Sequence, residues 1–542
     1  MLARTVRSLK RPCPLCSPSP SSPSSSPSSS RLASSKASSA RPSSIPAPVL
    51  DLNQVIHHPD AVKRNLVDRK FPFLASDVDH LRSLHLEAAQ LAKDLQRARE
   101  RRNAVSGAGT GAGEAGAGDA DARRREAGEV KKLVKDLEPR LATLQRAIQH
   151  LALQLPNVSH ADVPVGDETH ARLVKTLGPP LPSSSSPARE PERDHLVLSS
   201  PTHLAWTDFA SSSLTTGSSW PLLLNEAALL ELALTNHAMS IALSHGFTPA
   251  LTPDVVRSDV SERCGFRPRD GDAQQTYFLS DGGGGTGEGE GESSSTLCLA
   301  GTAEVPLVAM SAAQTFPATS LPLKHVALGR AFRAEAGARG ADSRGLYRVH
   351  QFSKVEMVVV CAEDDSDRLL EELRGIQEEI LSGLGLSLRV LDMPTEELGA
   401  SAHRKYDIEA WMPGRGKWGE LSSASNCTDY QSRRLGIRYR PSASPSSPSA
   451  SPSSSSSSSA HHTPAPSPPP PKLAYTHTLN GTAAAIPRLI VALLENGAVL
   501  DGEGKPIRVR LPRVLRPFWL GRTGGSDARI EWVEEGEALR VV

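Results

Sequence analysis

The sequence predicts an α+β fold, in which a long antiparallel helical hairpin precedes an antiparallel β-sheet with helices, and three features lead to it. Two apolar stripes stepping by three and four, between about residues 78 and 155, read as paired helices. Beyond residue 195, strand segments rich in Val, Leu and aromatics outnumber any βαβ units, which favours an antiparallel sheet over a parallel one. The stretch FRAEAGARGADSRGLYRVHQFSKVE, Phe332 to Glu356, sets Arg and Glu on alternate positions, the period of a strand. Its charges Arg333, Glu335, Arg348 and Glu356 do not suit an apolar core. They suit a solvated surface, a salt-bridge ladder or the floor of a polar site.

In the first fifty residues the bases are Arg4, Arg7, Lys10, Arg11, Arg31, Lys36 and Arg41, and no acid precedes Asp51. MLARTVRSLKR places Leu2, Val6 and Leu9 on one helical face. An Arg-rich, Ser-rich, acid-free start has the composition of a mitochondrial transit peptide, so residues 1–48 are expected to direct the chain to the mitochondrial matrix. Cys13 and Cys16 lack the second pair that would complete a zinc site, and six cysteines in 542 residues do not make a disulfide framework. A net charge of +1 announces no polyanion partner for the chain as a whole. No run approaches the roughly 18 apolar residues of a membrane helix, so no membrane partner is expected.

Leu81, Leu84, Ala88, Leu91, Leu95 and Ala98 make the first stripe of the hairpin. After a Gly/Ala-rich tip, Gly107 to Gly118, the second runs through Val130, Val134, Leu137, Leu141, Leu144, Ile148, Leu151 and Leu155. About 25 to 30 residues per helix give an arm of roughly 40 Å, with Pro139 expected to kink or break the second helix. Arg97, Arg99, Arg101, Arg102, Arg123, Arg124, Arg125, Lys131 and Lys132 gather towards the tip. Such a basic end suits a phosphate backbone, although dimerisation, spacing or a merely solvated face would use the same pattern.

Ser- and Pro-rich residues 181–194 read as a linker between an N-terminal domain, 49–180, and a second domain, 195–542, which carries low-complexity inserts at 281–295 and 441–471. There is no GxxxxGK[ST] loop and no strand-linked GxGxxG, so a nucleotide would bind by neither device.

The Phe332–Glu356 stretch resembles motif 2 of the class II aminoacyl-tRNA synthetases in its seryl form. GFTPALTPDVV resembles motif 1, with Pro253 at its proline, and HTLNGTAAAIPRLIVALLEN resembles motif 3, with Arg488 at its arginine. TAEVPL, ELSSASNCTDYQSRRLGIRYR, VLDLNQVIHHPDAVKRNL and the paired-helix arm are similar to the same family, over about residues 49 to 520. Pro487 just before Arg488 departs from the family pattern.

The resemblance implies an enzyme that activates L-serine with ATP and Mg²⁺ and passes the seryl group to tRNA(Ser). Arg333 would grip the α-phosphate and the serine carboxylate, and Arg488 the γ-phosphate. Glu335 would accept from the adenine amino group and Phe352 would stack on the ring. Arg348, Val349, Glu420, Leu421, Ser422 and Ser423 would complete the ATP site, with Glu420 and Ser423 holding the metal through ATP. Thr302, Glu304, Arg333, Glu356, Asn480 and Thr482 would bind serine. Arg97, Arg101, Arg102, Arg123, Arg124 and Lys131 on the arm would meet the tRNA. Motif 1 builds the subunit interface in this class, which implies a homodimer. A carrier-protein amino-acid ligase or a non-catalytic binding paralogue are the alternatives. His350 is expected to be structural, and Cys427 to pack beside the site.

Overall fold

The computed structural model describes residues 45–542 except 72–73, 108–116, 182–187, 267–274, 281–295, 336–343, 442–471, 522–528, 535–536 and 541–542. Residues 1–44 of the expected targeting segment, Cys13 and Cys16, the insert at 281–295 and nearly all of that at 441–471 lie outside the described residues.

The arm consists of α1 (Ala75–Gly107, 33 residues) and α2 (Ala117–Gln154, 38 residues). At 1.5 Å per residue they span roughly 50 Å, longer than the repeat implied. The repeat marks only the buried seam, where Leu91, Leu95 and Ala98 meet Val134 and Leu137. Ion pairs Arg99–Glu138 (2.9 Å) and Arg101–Glu126 (2.6 Å) join the two helices nearer the tip. Pro139 does not break α2. It sits on the exposed face, so water can satisfy the Lys135 carbonyl that loses its N–H partner.

At the root of the arm, the short helix Pro59–Asp68 ends at Arg69, which is fully buried. Its guanidinium donates to the carbonyls of Asn157 (2.9 Å), Ala402 (2.9 Å) and Gly399. The Asn157 amide donates in turn to the carbonyls of Ser401 and Cys427. A buried cation shared among backbone oxygens thus ties the arm to the second half of the chain.

That half is built on eight strands: β1 (Arg172–Leu177), β2 (Thr248–Leu251), β3 (Leu323–Phe332), β4 (Gln351–Cys361), β5 (Leu388–Asp392), β6 (Arg404–Met412), β7 (Lys417–Asn426) and β8 (His477–Ala485). They lie in the order β1-β5-β6-β7-β8-β4-β3-β2, antiparallel throughout except for the β2–β3 pair. Three helices, α3 (Asn225–Ser244), α4 (Ser366–Ser382) and α5 (Ile486–Gly497), share the main core with one face of the sheet. The shorter helices Ser258–Arg263 and Glu304–Ala309 cover part of the other face through a second core, so helices flank both sides.

Alternation along β4 explains where the site lies. Val355, Met357, Val359 and Cys361 enter the main core, whereas Val358 and Val360 enter the second. Phe352, Lys354 and Glu356 share the parity of the second set but precede its cover, and they form a polar floor. The Phe332–Glu356 stretch is therefore not one charged strand. β3 ends at Phe332, Glu335 has a left-handed backbone (φ 48°), and the chain returns through the turn Gly345–Tyr347 into β4.

By length and hydropathy α3 could cross a membrane, contrary to the expectation from sequence. Here it is a core helix, with Leu230, Ala233, Leu234 and Ala238 buried against the sheet. Replacing Arg69 by Met would leave one buried and two part-buried carbonyls short of a charged donor, a loss of about 3 kcal/mol. The expected outcome is a first unfolding transition several degrees lower by calorimetry, whereas Lys63→Met, which removes an exposed pair, leaves it unchanged.

Candidate active site

Six elements converge on one cleft, β8 contributing Thr482 and Ala485. The end of β3 brings Arg333 and Glu335, and the turn before β4 brings Tyr347, Arg348 and Val349. β4 brings Phe352 and Lys354, β7 brings Glu420 and Ser423, and the start of α5 brings Arg488. Pro487 fits as one of the first residues of α5, where no helical N–H is needed, and Arg488 then projects from the first turn.

The cations of the cleft are each held. Arg488 donates to the Glu420 carboxylate (3.1 Å) and carbonyl (3.1 Å), with its guanidinium 4.7 Å from the centre of the Tyr347 ring. Burial would depress the Arg488 guanidinium, but Glu420 outweighs it and raises the pKa. Burial alone would raise the Glu420 carboxyl; Arg488, Lys405 and Arg333 overcome it and hold Glu420 at about 2. Arg333 lies 5.3 Å over the Phe352 ring, and burial lowers its pKa against the pull of Glu335. Glu335 is paired with Arg348 at 2.8 Å.

Next to the cleft lies a second, largely buried cluster. Lys354 and Thr482 line the cleft and also reach Glu356, at 2.8 Å and 3.4 Å. Glu356, opposite Thr482 on β8 and Ala327 on β3, is only 1% exposed. Glu304 accepts from Gln431 (2.7 Å) and from Asn480 (3.0 Å), and its own N–H donates to the Thr302 hydroxyl (3.2 Å). Burial, then the nearby Glu356 carboxylate, pushes Glu304 up to about 7. Two carboxylates with a lysine, an amide and hydroxyls form a polar cluster whose chemistry suits an ammonium and a hydroxyl.

Thus Arg333, Glu335, Arg348, Val349, Phe352, Glu420, Ser423, Thr482 and Arg488 line the cleft, and Thr302, Glu304, Glu356 and Asn480 form the adjoining cluster. Two residues do not face it: the Leu421 side chain packs in the main core, and the Ser422 hydroxyl donates to the Thr482 carbonyl. Only their backbones could touch a ligand. Of the arm residues, Arg97 pairs with Asp94 (3.5 Å) and Arg101 with Glu126, while Arg102, Arg123, Arg124 and Lys131 are exposed. His350 Nδ1 donates to the Arg333 carbonyl (3.1 Å), and the ring lies 5.5 Å from the Trp220 ring. Cys427 is buried beside Asn480 (3.4 Å), and burial raises its thiol above the usual range.

Sequence reasoning misses Lys354, Tyr347 and Gln431. Lys354 was legible in principle, two residues from Glu356 on one strand face. Tyr347 lies against Arg488 and, 3.5 Å from its ring centre, Arg415, which no local pattern reveals. Hard oxygen donors, the ionised Glu420 and the Ser423 hydroxyl, share the cleft and fit a magnesium ion. Asp407, directly opposite Ser423 in strand register, adds a buried carboxylate oxygen with no hydrogen-bond partner among the described residues.

Residues 49–159 match the seryl-tRNA synthetase N-terminal domain, and residues 288–449 the tRNA synthetase class II core domain (G, H, P, S and T). The chain is 36% identical over 473 residues to a serine–tRNA ligase of Treponema denticola, covering 87% of this chain and 98% of that protein. It is 34% identical to the mitochondrial serine–tRNA ligase of Schizosaccharomyces pombe, covering 87% and 88%. The crystal structure of seryl-tRNA synthetase from Pyrococcus horikoshii complexed with ATP superposes with a TM-score of 0.70 at 31% identity, over 88% of this chain and 99% of that one.

Because Glu304 titrates at about 7 instead of its ordinary 4.5, the folded state keeps a proton that the unfolded chain loses, and stability falls as pH rises through that window. Glu304→Gln retains an oxygen for Gln431 and Asn480. Its melting temperature is expected to exceed the parent's at pH 8, with the gap closing below pH 4.5. An equal difference at both pH values contradicts the assignment.

Proposed function

The chain belongs to the seryl-tRNA synthetase family, and we propose that it charges tRNA(Ser) with L-serine in mitochondria by way of a seryl-adenylate. It is an aminoacyl-tRNA ligase with a class II core. The observation that carries the reading is the junction of an Arg333–Glu420–Arg488 cleft with the adjoining Glu304–Glu356 cluster through Lys354 and Thr482.

In the first step the serine carboxylate attacks the α-phosphorus of ATP and pyrophosphate leaves. Arg333, at the mouth of the pocket, stabilises the charge gathering on the α-phosphate, and Arg488 holds the γ-phosphate end with its planar fork. Phe352 stacks the adenine, and Glu335 accepts from its amino group once Arg348 turns to the phosphates. Glu304 meets the serine ammonium with Thr302 and Asn480, and Glu356 accepts from the serine hydroxyl with Thr482 alongside. Mg²⁺ on Glu420 and Ser423 would neutralise the pyrophosphate leaving group. Alanine leaves Glu356 unpaired, so discrimination of roughly 10⁴-fold is within reach, whereas threonine must be excluded by crowding.

In the second step the acyl group passes to the tRNA 3′ end. We assign tRNA binding to residues 49–180, with the arm crossing to tRNA on the partner of a homodimer and reading shape and backbone. Residues 195–542 form the catalytic domain and 181–194 the linker. Matrix localisation rests on the acid-free N-terminal composition and on similarity to a mitochondrial ligase.

The test is serine-dependent ATP–pyrophosphate exchange, followed by charging of mitochondrial and cytosolic tRNA. No exchange overturns the enzyme reading, and exchange without charging points to a carrier-protein ligase. Arg333→Ala is expected to abolish exchange. Deleting residues 107–125 spares exchange and weakens charging; intact charging would refute the role given to the arm.

A further inference from the structure

Behind the nucleotide side of the cleft lies a buried pair that none of these roles uses. His195 is 3% exposed and Glu495 is fully buried. Glu495 sits on α5 seven residues beyond Arg488, two helical turns along the same rod. One of its carboxylate oxygens accepts from the His195 backbone N–H (3.2 Å) and lies 3.1 Å from His195 Nδ1; the other accepts from the Gly414 N–H (2.8 Å). On the far side of the ring, His195 Nε2 accepts from the Leu346 N–H (3.2 Å). The Leu346 donor and the Glu495 acceptor together fix one neutral tautomer, with Nδ1 protonated and Nε2 free to accept.

Leu346 lies in the turn that delivers Tyr347, Arg348 and Val349 to the cleft. The turn packs so closely on the imidazole that a Cβ at Gly345 (φ 69°) would fall 2.2 Å from Nε2. Tyr347 also reaches back to α5, since its carbonyl accepts from Arg488 (3.5 Å) and its ring lies beneath that guanidinium. The helix bearing Arg488 and the turn bearing Tyr347 are therefore joined twice, once in the cleft and once through the imidazole.

The geometry points to His195 and Glu495 as positioning residues for the nucleotide: Glu495 orients the imidazole, and the imidazole sets the distance between α5 and the Gly345–Tyr347 turn. A cation site is the competing use of this cluster, since Asp194, His195 and Glu495 offer ligand atoms within 4.8 Å of one another. The imidazole has no lone pair to offer a cation, as Nε2 accepts from the Leu346 N–H and Nδ1 faces Glu495, while both Glu495 oxygens and one Asp194 oxygen already accept from backbone N–H groups. The donor set fits an orienting relay better than a metal.

This inference rests on the proposed ATP-dependent activation. The test is the KM for ATP and for serine in pyrophosphate exchange, with the dissociation constant for ATP measured by calorimetry on the same samples. His195→Leu strands the Leu346 N–H and is expected to raise the KM and dissociation constant of ATP about tenfold, with the serine KM within about twofold of the parent. His195→Gln presents an amide oxygen to Leu346 and should recover most of the ATP affinity. Should His195→Leu fail to fold, Glu495→Gln, which sets an amide N–H against a backbone N–H, is expected to give the same selective rise. Folded variants whose ATP constants stay within twofold of the parent overturn the inference, as do variants in which the ATP and serine constants rise together. If the parent itself shows no exchange, the activity reading fails, and the calorimetric ATP constants still decide the role of His195.

Discussion

The ion pair between Arg488 and Glu420 is the interaction on which the cleft depends. It joins the first turn of α5 to strand β7 at 3.1 Å and keeps both partners charged against the partial desolvation of the cleft. Arg348 and Glu335 repeat the device where the chain returns into β4, and Lys354 and Glu356 at the floor. Charges in the cleft are thus balanced against one another beforehand. In the proposed reaction a polyphosphate would compete with Glu420 for Arg488 and a metal ion with Arg488 for Glu420, which would suit the two to enter together.

The sheet makes such a site affordable because a strand presents alternate residues to opposite faces. Along β4 one parity anchors the main core with Val355, Met357 and Val359, and the other lays out Phe352, Lys354 and Glu356. Packing on one face therefore fixes the position of charges on the other, with the register to β3 and β8 setting Glu356 opposite Ala327 and Thr482.

Much of this was legible in the residues, for reasons that differ by element. The arm showed itself through an apolar repeat of helical period, although its length did not, because the repeat stops where the helices are joined by Arg101–Glu126. Alternation of Arg333 and Glu335 suggested a strand that in fact ends at Phe332, since a residue with φ of 48° leaves the extended region. Leu421 and Ser422 were placed near ATP by resemblance, yet strand alternation and a bulge-containing pairing turn their side chains to the core and to Thr482. The contacts of Gln431 with Glu304, and of His195 with Glu495, join residues 127 and 300 positions apart. No local pattern carries pairings of that separation; only the folded sheet brings them together.

The central claim is that the arginine-lined cleft and the carboxylate-lined pocket act as one site for a seryl-adenylate. The most direct measurement is the binding, by calorimetry, of the non-hydrolysable analogue in which a sulfamoyl group joins serine to adenosine, beside its alanyl counterpart. The seryl analogue is expected to bind at least about 10²-fold more tightly than either ATP or serine alone, and the alanyl one markedly more weakly. Equal affinity for the two analogues, or affinity no greater than that of ATP, would contradict it.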